Sequence, residues 1–259
     1  MRKIVFLIGS VDNSHTKNRI EAFVREGLDI DVYGFSRKNH KSPDLPYKVE
    51  VLGEVEDQNY QSRLSLYYKS IKAIKKRYEK SDIVVYVIGM HLASFVRLLW
   101  RNVDYIYEEA DLVHTYFSNK LVRGAFEMMD KNVAKHAKLA VYTSEGFVKF
   151  HYGENVPQNV IVVANKLNQA VLKCPSIKKS PFDKNKIKIG FVGWPRFDSI
   201  LSFVDIFCSK YPNNEMHIYG APISKEFEEL KKYPNYYLHG RFKNPDDLPT
   251  IYENIDLVL

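Results

Sequence analysis

The chain has 259 residues, 45% of them hydrophobic and 27% charged, an ordinary globular composition with room for one large domain or two smaller ones. No apolar run approaches the ~20 residues that span a bilayer, and the basic start Met1-Arg2-Lys3 with Ile4 to Ile8 behind it is too short for a signal peptide and reads as a buried first strand. The formal net charge of +7, shared as +4 over residues 1–165 and +3 over the rest, favours anionic partners without choosing among phosphates, membrane surfaces and nucleic acid.

In chain order, strand patterns occur at Lys3 to Ile8, Ile30 to Phe35, Tyr47 to Leu52 (a weaker, edge-like run), Ile83 to Ile88, Tyr105 to Glu108, Leu139 to Thr143 and Val160 to Val163. Ile83 to Ile88 is continuously apolar and rich in β-branched residues, as expected of a parallel strand covered on both faces. Amphipathic helical patterns lie between strands, notably over 60–79 and 117–136, so the first 165 residues predict an open parallel sheet with helices on both sides. Residues 166–186 shift in composition to Lys, Pro, Ser and Asn and read as a linker. A second β–α series then occupies 187–259. Its strands are Ile187 to Val192, Met216 to Tyr219, Tyr236 to His239 and Ile255 to Leu259, and its helices are 199–210, 225–232 and 246–253. The two cysteines, Cys174 and Cys208, have no metal or redox spacing, which suits a reducing cytoplasm. Cys208 falls in the apolar pattern Phe203, Val204, Ile206, Phe207 and predicts a small core residue. The second half is small, and it ends on an apolar strand pattern with nothing after it to cover the strand. The expectation is a second domain that is incomplete in this chain.

Two Rossmann-like halves serve many functions, so local motifs must narrow the choice. Lys138-Leu139-Ala140-Val141-Tyr142-Thr143-Ser144-Glu145-Gly146-Phe147, followed by Val160-Ile161-Val162-Val163-Ala164-Asn165-Lys166, resembles the region that closes the first domain of glycosyltransferase family 4 enzymes. Ile187-Lys188-Ile189-Gly190-Phe191-Val192-Gly193-Trp194-Pro195-Arg196 resembles the strand and glycine loop that begin their donor domain. Met216 to Gly220, Tyr236 to Phe242 and Leu248 to Leu257 are similar to the segments that follow, in the same order. The resemblance implies an α/β fold of the GT-B type: a Rossmann-like acceptor-side domain over 1–165 and a partial nucleotide-sugar donor domain over 187–259. It also implies transfer of a sugar from a nucleotide sugar to a saccharide or lipid-linked acceptor in surface polysaccharide biosynthesis. The transfer would retain anomeric configuration, with the nucleotide sugar as substrate and no cofactor.

The same resemblance implies site residues. Gly193 would let backbone approach the donor diphosphate, and Arg196 would supply a bidentate, permanently charged partner. Leu201 stands in the region where the family commonly has a lysine, a departure that weakens the diphosphate site. Gly220, Gly240 and Arg241 would neighbour the nucleotide. On the acceptor side, His91 follows the strand Ile83 to Ile88, and Glu109 and Asp111 follow Tyr105 to Tyr107, where a carboxylate could orient or deprotonate an acceptor hydroxyl. Each has a blander reading as a surface or capping residue, Glu108 in particular. Gly9, Ser10 and Asn13 form an acceptor loop after the first strand, and the absence of G-x-G-x-x-G there argues against a dinucleotide cofactor.

Three further readings complete the expectation. Over 60–80, Leu64, Tyr67, Ile71, Ile74 and Tyr78 trace one helical face among seven basic residues. This is a pattern for peripheral contact with anionic lipid at the inner face of the membrane, or more simply for a core stripe under a solvated lysine face. The eight histidines show no H-E-x-x-H or H-x-H spacing, which predicts no metal site, and no nucleic-acid recognition motif is present. The family's Glu-x7-Glu motif would lie beyond Leu259. An inactive fragment, a nucleotide-sugar epimerase on the same architecture, and a basic membrane- or nucleic-acid-binding module therefore stand as alternatives.

Overall fold

The computed structural model describes residues 2–37, 45–56, 60–165, 171, 173–175, 183–195, 198–221 and 223–259. They fall into two compact units, divided between residues 166 and 167.

The strands of the first unit are β1 (Lys3–Ile8), β2 (Ile30–Arg37), β3 (Glu50–Val55), β4 (Ile83–Ile88), β5 (Asp104–Glu109), β6 (Leu139–Tyr142) and β7 (Val160–Val162). All pair in parallel in the order β3-β2-β1-β4-β5-β6-β7. The sheet's centre is the pair β1 and β4, in register from Lys3 against Ile83 to Ile8 against Ile88. Alternate side chains of β1 feed opposite faces. Val5 and Leu7 join one apolar cluster, and Phe6 and Ile8 join another with Tyr86 and Ile20. The helices of this unit are α1 (Ser14–Arg25), α2 (Tyr60–Arg77), α3 (Met90–Leu99), α4 (Lys120–His136) and α5 (Glu145–Tyr152).

Three expectations shift here. The edge strand does lie at the edge, but as Glu50–Val55 rather than 47–52, because Tyr47 and Val49 pack against the Phe6 cluster before pairing begins at Glu50. The helical pattern from 117 begins only at Lys120. Asn119 caps it by accepting from Leu121 N at 2.9 Å and Val122 N at 3.3 Å, and residues Val113–Tyr116 form a separate 3-10 turn. In α2 the stripe of Tyr67, Ile71, Ile74 and Tyr78 is buried in the core, each apolar side chain stabilising the packing by about 1.5–3 kcal/mol. Leu64 and Tyr68 are the large apolar side chains left exposed on this helix among the described residues, so the simpler core-stripe reading describes this face. Among the described residues no helix is long and apolar enough to cross a membrane.

The second unit holds β8 (Lys188–Val192), β9 (Glu215–Tyr219), β10 (Tyr236–Gly240) and β11 (Leu257–Val258), parallel in the order β10-β9-β8-β11. Its helices are α6 (Asp198–Lys210), α7 (Lys225–Glu229), continued by a 3-10 turn over Leu230–Lys232, and α8 (Leu248–Glu253). Val204, Phe207 and Cys208 of α6 pack on Met216, Ile218 and Tyr236, so Cys208 is the core residue its pattern predicts, and burial pushes its thiol up to about 11. The strand expected over 255–259 contracts to Leu257–Val258. Ile255 turns inward to fill the space above Gly190, where a Cβ would meet Ile255 Cδ1 at 2.4 Å, and the Asp256 side chain accepts from Lys188 N at 2.8 Å. Most of the expected linker over 166–186 lies outside the described residues.

Candidate functional site

In open α/β sheets, ligands gather outside the carboxyl ends of the strands, where the strand order reverses. In the first sheet that point lies between β1 and β4, and in the second between β8 and β11. The loops after β1 and β8 contain Gly9, Ser10 and Asn13, then Gly193, and His91 lies in the first turn of α3, directly after β4, so these predicted residues stand at the switch points.

The loop after β1 is pinned by its neighbours. Asn13 caps α1, its side chain accepting from His15 N at 2.9 Å and Thr16 N at 3.3 Å, which satisfies two of the helix's orphan donors. Ser10 donates to Asp12, and Val11 N donates to Phe35 O at 3.0 Å. Gly34 of β2 lets Ile8 and Val11 approach, since a Cβ there would stand 2.6 Å from Ile8 Cγ1. Gly9 has open space around it. After β4, Gly89 N donates to Glu108 O at 3.0 Å and leads into α3, where the ring of His91 lies 5.8 Å from that of Phe126. Burial, and then the charge of Arg63, holds the His91 imidazole below its ordinary pKa.

At the end of β5 two consecutive glutamates point to opposite faces, as strand geometry requires. Glu108 is fully buried and receives Arg19 Nε on both carboxylate oxygens at 3.1 Å, Arg19 Nη2 at 2.9 Å, His15 Nε2 at 2.7 Å and the Tyr86 hydroxyl at 2.5 Å. Burial pushes its carboxyl up, but the bonds from His15, Arg19 and Tyr86 outweigh that and hold it below the usual range. Arg19 Nη2 also donates to Val163 O at 3.1 Å, so this network clamps α1 to β5 and to the segment after β7. Glu108 is a structural counter-ion inside the sheet, neither the surface charge nor the capping residue of its blander reading.

On the other face Glu109 is 1% exposed. Its Oε1 and Oε2 lie 3.1 and 3.0 Å from His151 Nε2, and His151 Nε2 lies 3.6 Å from Asp130 Oδ2. Asp130 accepts from the Tyr107 hydroxyl at 2.5 Å, and His114 stands with its Nδ1 4.0 Å from Asp130 Oδ2 and its ring stacked on Phe150. Burial raises both carboxyls, Asp130's further through Glu109's charge, and burial lowers both imidazoles. Asp111, two residues on, is exposed. The three residues predicted as one acceptor-side group thus occupy different settings: Glu109 inside, Asp111 on the surface, His91 half-buried at the start of α3.

The histidine spacing predicts no metal-ligating set, and the fold differs by drawing Glu109, His114, Asp130 and His151 from four separate elements into one buried group. Only Glu109 of the four is singled out by the sequence reading. Two of the others sit among apolar positions of their helices: Asp130 interrupts the buried face of α4 formed by Val133 and Ala134, and His151 lies one turn from buried Val148 in α5.

In the second unit the three predicted glycines end three adjacent strands and meet backbone to backbone. Gly193 N donates to Tyr219 O at 2.8 Å, and Gly220 N donates to Gly240 O at 2.7 Å. A Cβ on Gly220 would stand 1.6 Å from the carbonyl oxygen of Gly193, so no other residue fits there. Arg241 is exposed beside this edge, and Arg196 lies outside the described residues. On one face of the same strands, His217, Tyr219, Tyr237 and His239 stack. The Tyr219 and His239 rings are 4.1 Å apart and 3° from parallel, and His217 Nδ1 is 3.0 Å from His239 Nε2.

The chain matches no protein-family profile. It is 26% identical over 227 residues to Protein CapJ of Staphylococcus aureus, an alignment covering 78% of this chain and 55% of that protein, so the chain spans about half the length of this curated relative. Among solved structures it is similar to the sucrose-phosphate synthase from Thermosynechococcus elongatus, with a TM-score of 0.68 and 12% identity over all of this chain and 75% of that one. It is likewise similar to Anabaena HepE in complex with UDP and glucose, at 0.65 and 17% over all of this chain and 73% of that one. A UDP-N-acetylglucosamine 2-epimerase from Rickettsia bellii gives 0.61 and 12% over 96% of this chain and 71% of that one. At these identities the likeness is one of fold, and enzymes of different chemistry share it.

Proposed function

Starting from the GT-B fold of this chain, we propose that it is a glycosyltransferase that moves a sugar from a nucleotide-sugar donor to a saccharide or lipid-linked acceptor in surface polysaccharide synthesis. The observation that carries the proposal is the glycine edge of the second unit. Gly193 and Gly240 end two of these parallel strands with no Cβ and with open or ordinary space where one would stand, so the phosphates and ribose of a nucleotide can approach the backbone there, while Gly220 between them packs against the Gly193 carbonyl. The likeness to HepE, whose structure holds UDP and glucose, supports a nucleoside diphosphate as the donor's handle. Arg196, on the resemblance of its motif, supplies the charge that meets the diphosphate, with Arg241 beside Gly240 as a neighbour of the nucleotide.

The acceptor side belongs to the first unit's switch point, with Gly9, Ser10 and Asn13 after β1 and His91 after β4. Asp111 is the carboxylate of this group, because it is exposed whereas Glu109 is spent inside. Contact with lipid-linked acceptors would fall to what α2 leaves exposed, Leu64 and Tyr68 with the surrounding lysines.

The test is the heat of binding of UDP and GDP to the 259-residue chain, repeated with Arg196→Ala. The proposal expects saturable binding that the variant weakens by roughly 1.5–3 kcal/mol, the value of a hydrogen bond to a charged group. No binding by a folded chain would sink it for this chain. An epimerase with the same fold is separated by supplying a nucleotide sugar with no acceptor: epimerisation of the free donor would favour that reading over transfer.

A further inference from the structure

Inside the first unit, Glu109 at the end of β5, His114 in the turn after it, Asp130 in α4 and His151 in α5 each offer one donor atom, and these atoms all lie within 4.8 Å of one another. Within the group His151 Nε2 lies 3.0 Å from Glu109 Oε2 and 3.6 Å from Asp130 Oδ2, and His114 Nδ1 lies 4.0 Å from Asp130 Oδ2. Nitrogen and oxygen ligands at zinc distances of about 2.0–2.2 Å sit roughly 3.3–3.6 Å apart in a tetrahedron. Small side-chain rotations would therefore close the set around one ion.

A second observation points to a missing partner. His114 is 1% exposed, yet neither of its ring nitrogens makes a hydrogen bond, and Glu109 Oε2 and His151 Nδ1 also lack one. A buried polar atom left without a partner costs about 1–3 kcal/mol, and several in one place call for a shared explanation. Charge adds to the case. With both carboxylates ionised and both imidazoles neutral the group would carry two negative charges, and among the described residues neither Glu109 nor Asp130 pairs with a lysine or arginine. A divalent cation would offset that charge and give one of the two orphaned His114 nitrogens a partner. The surroundings suit that role. Tyr107 donates to Asp130 Oδ1 at 2.5 Å, which orients the carboxylate and leaves Oδ2 facing the histidines, as outer hydrogen bonds do at metal sites.

We propose that Glu109, His114, Asp130 and His151 form a closed four-coordinate site for a divalent transition metal, zinc by donor type. Four protein ligands leave no open position for substrate or water, so the ion is structural. It would fasten α4, α5 and the turn Val113–Tyr116 to the end of β5. The rival account is a metal-free cluster in which protons are shared among the same groups.

The experiment loads the chelator-treated 259-residue chain with Zn2+ and with Co2+, following metal content, the visible absorption of tetrahedral cobalt and the melting temperature. The site expects one ion per chain, a tetrahedral cobalt band and a higher melting temperature. His114→Phe should abolish the band. Tyr107→Phe keeps every ligand and should weaken affinity roughly 10–100-fold. A folded wild-type chain that takes up neither ion overturns the proposal, even if the His114 variant does not fold. Uptake that survives in both His114→Phe and His151→Phe overturns it too, because the ion would then sit elsewhere.

Discussion

At the carboxyl edge of the first sheet, two consecutive glutamates are buried among polar and charged side chains, whereas at that of the second sheet Gly193, Gly220 and Gly240 bring backbone against backbone. One edge is held by charge and the other by the lack of side chains. A buried carboxylate is tolerated only with a compensating partner, and the two glutamates find different ones. Glu108 has the guanidinium of Arg19; Glu109 has the imidazole of His151, which also neighbours Asp130. The first arrangement is complete in itself, whereas the second leaves polar atoms unpartnered. The glycine edge needs no compensation, since its backbone groups pair with one another, and Gly193 and Gly240 stay partly exposed on either side of buried Gly220.

The largest effect should follow from breaking the complete arrangement. Arg19→Met leaves Glu108 buried without its permanent cation, a loss of about 3–5 kcal/mol for a buried pair. The lower end is expected, since His15 at 2.7 Å and the Tyr86 hydroxyl at 2.5 Å still bond the carboxylate. Urea unfolding of the first unit measures it. Glu109→Gln in the chelator-treated chain is the counterpart and should cost far less, because no lysine or arginine is stranded. Equal losses for both substitutions would erase the distinction between the two glutamates.

At the glycine edge, Gly220→Ala places a methyl group 1.6 Å from the Gly193 carbonyl oxygen, so the two strand ends must part. Overpacking of this kind costs about 1–3 kcal/mol. The same change should abolish UDP binding if that edge is the donor site. A variant that melts lower but binds UDP unchanged would leave the glycines as packing devices only.

Much of this contrast could be read in the sequence. Ile83 to Ile88 announced a central parallel strand, and the order of glycine-ended strands from Gly193 to Gly240 announced the second sheet. The burial of Glu109 could not be read, because strand alternation says that Glu108 and Glu109 face opposite sides without saying which side is dry. His114, Asp130 and His151 escaped because their meeting depends on how four elements pack, and their spacing along the chain carries no trace of it. The Tyr67 to Tyr78 stripe shows the reverse difficulty, since one helical pattern fits both a lipid-facing and a core-facing helix until the sheet beneath it is seen.

The loop after β1 offers a smaller test. Asn13 was expected at the acceptor, and it caps α1. Asn13→Ala should cost about 0.5–2 kcal/mol, and Asn13→Ser should recover most of it. If Asn13→Ser restores stability but not transfer, the side chain serves the acceptor as well as the helix.

The smallest effect expected is one of pH, on the flank of the glycine edge. Burial lowers the His217 imidazole against the opposing pull of Glu215 at 3.3 Å, and burial with the charge of His217 lowers His239. A histidine whose folded pKa lies below its unfolded value near 6.5 binds fewer protons when folded. Its contribution is therefore complete above that pH and is lost as pH falls below it. The rings lie nitrogen to nitrogen at 3.0 Å, so protonating both sets like charges in contact. The second unit should lose stability as pH falls below about 6.5, and His239→Gln should flatten that slope while leaving the first unit's unfolding untouched. An unchanged slope would mean that the stacked rings titrate as freely as in the unfolded chain, and that the glycine edge is indifferent to the face beside it.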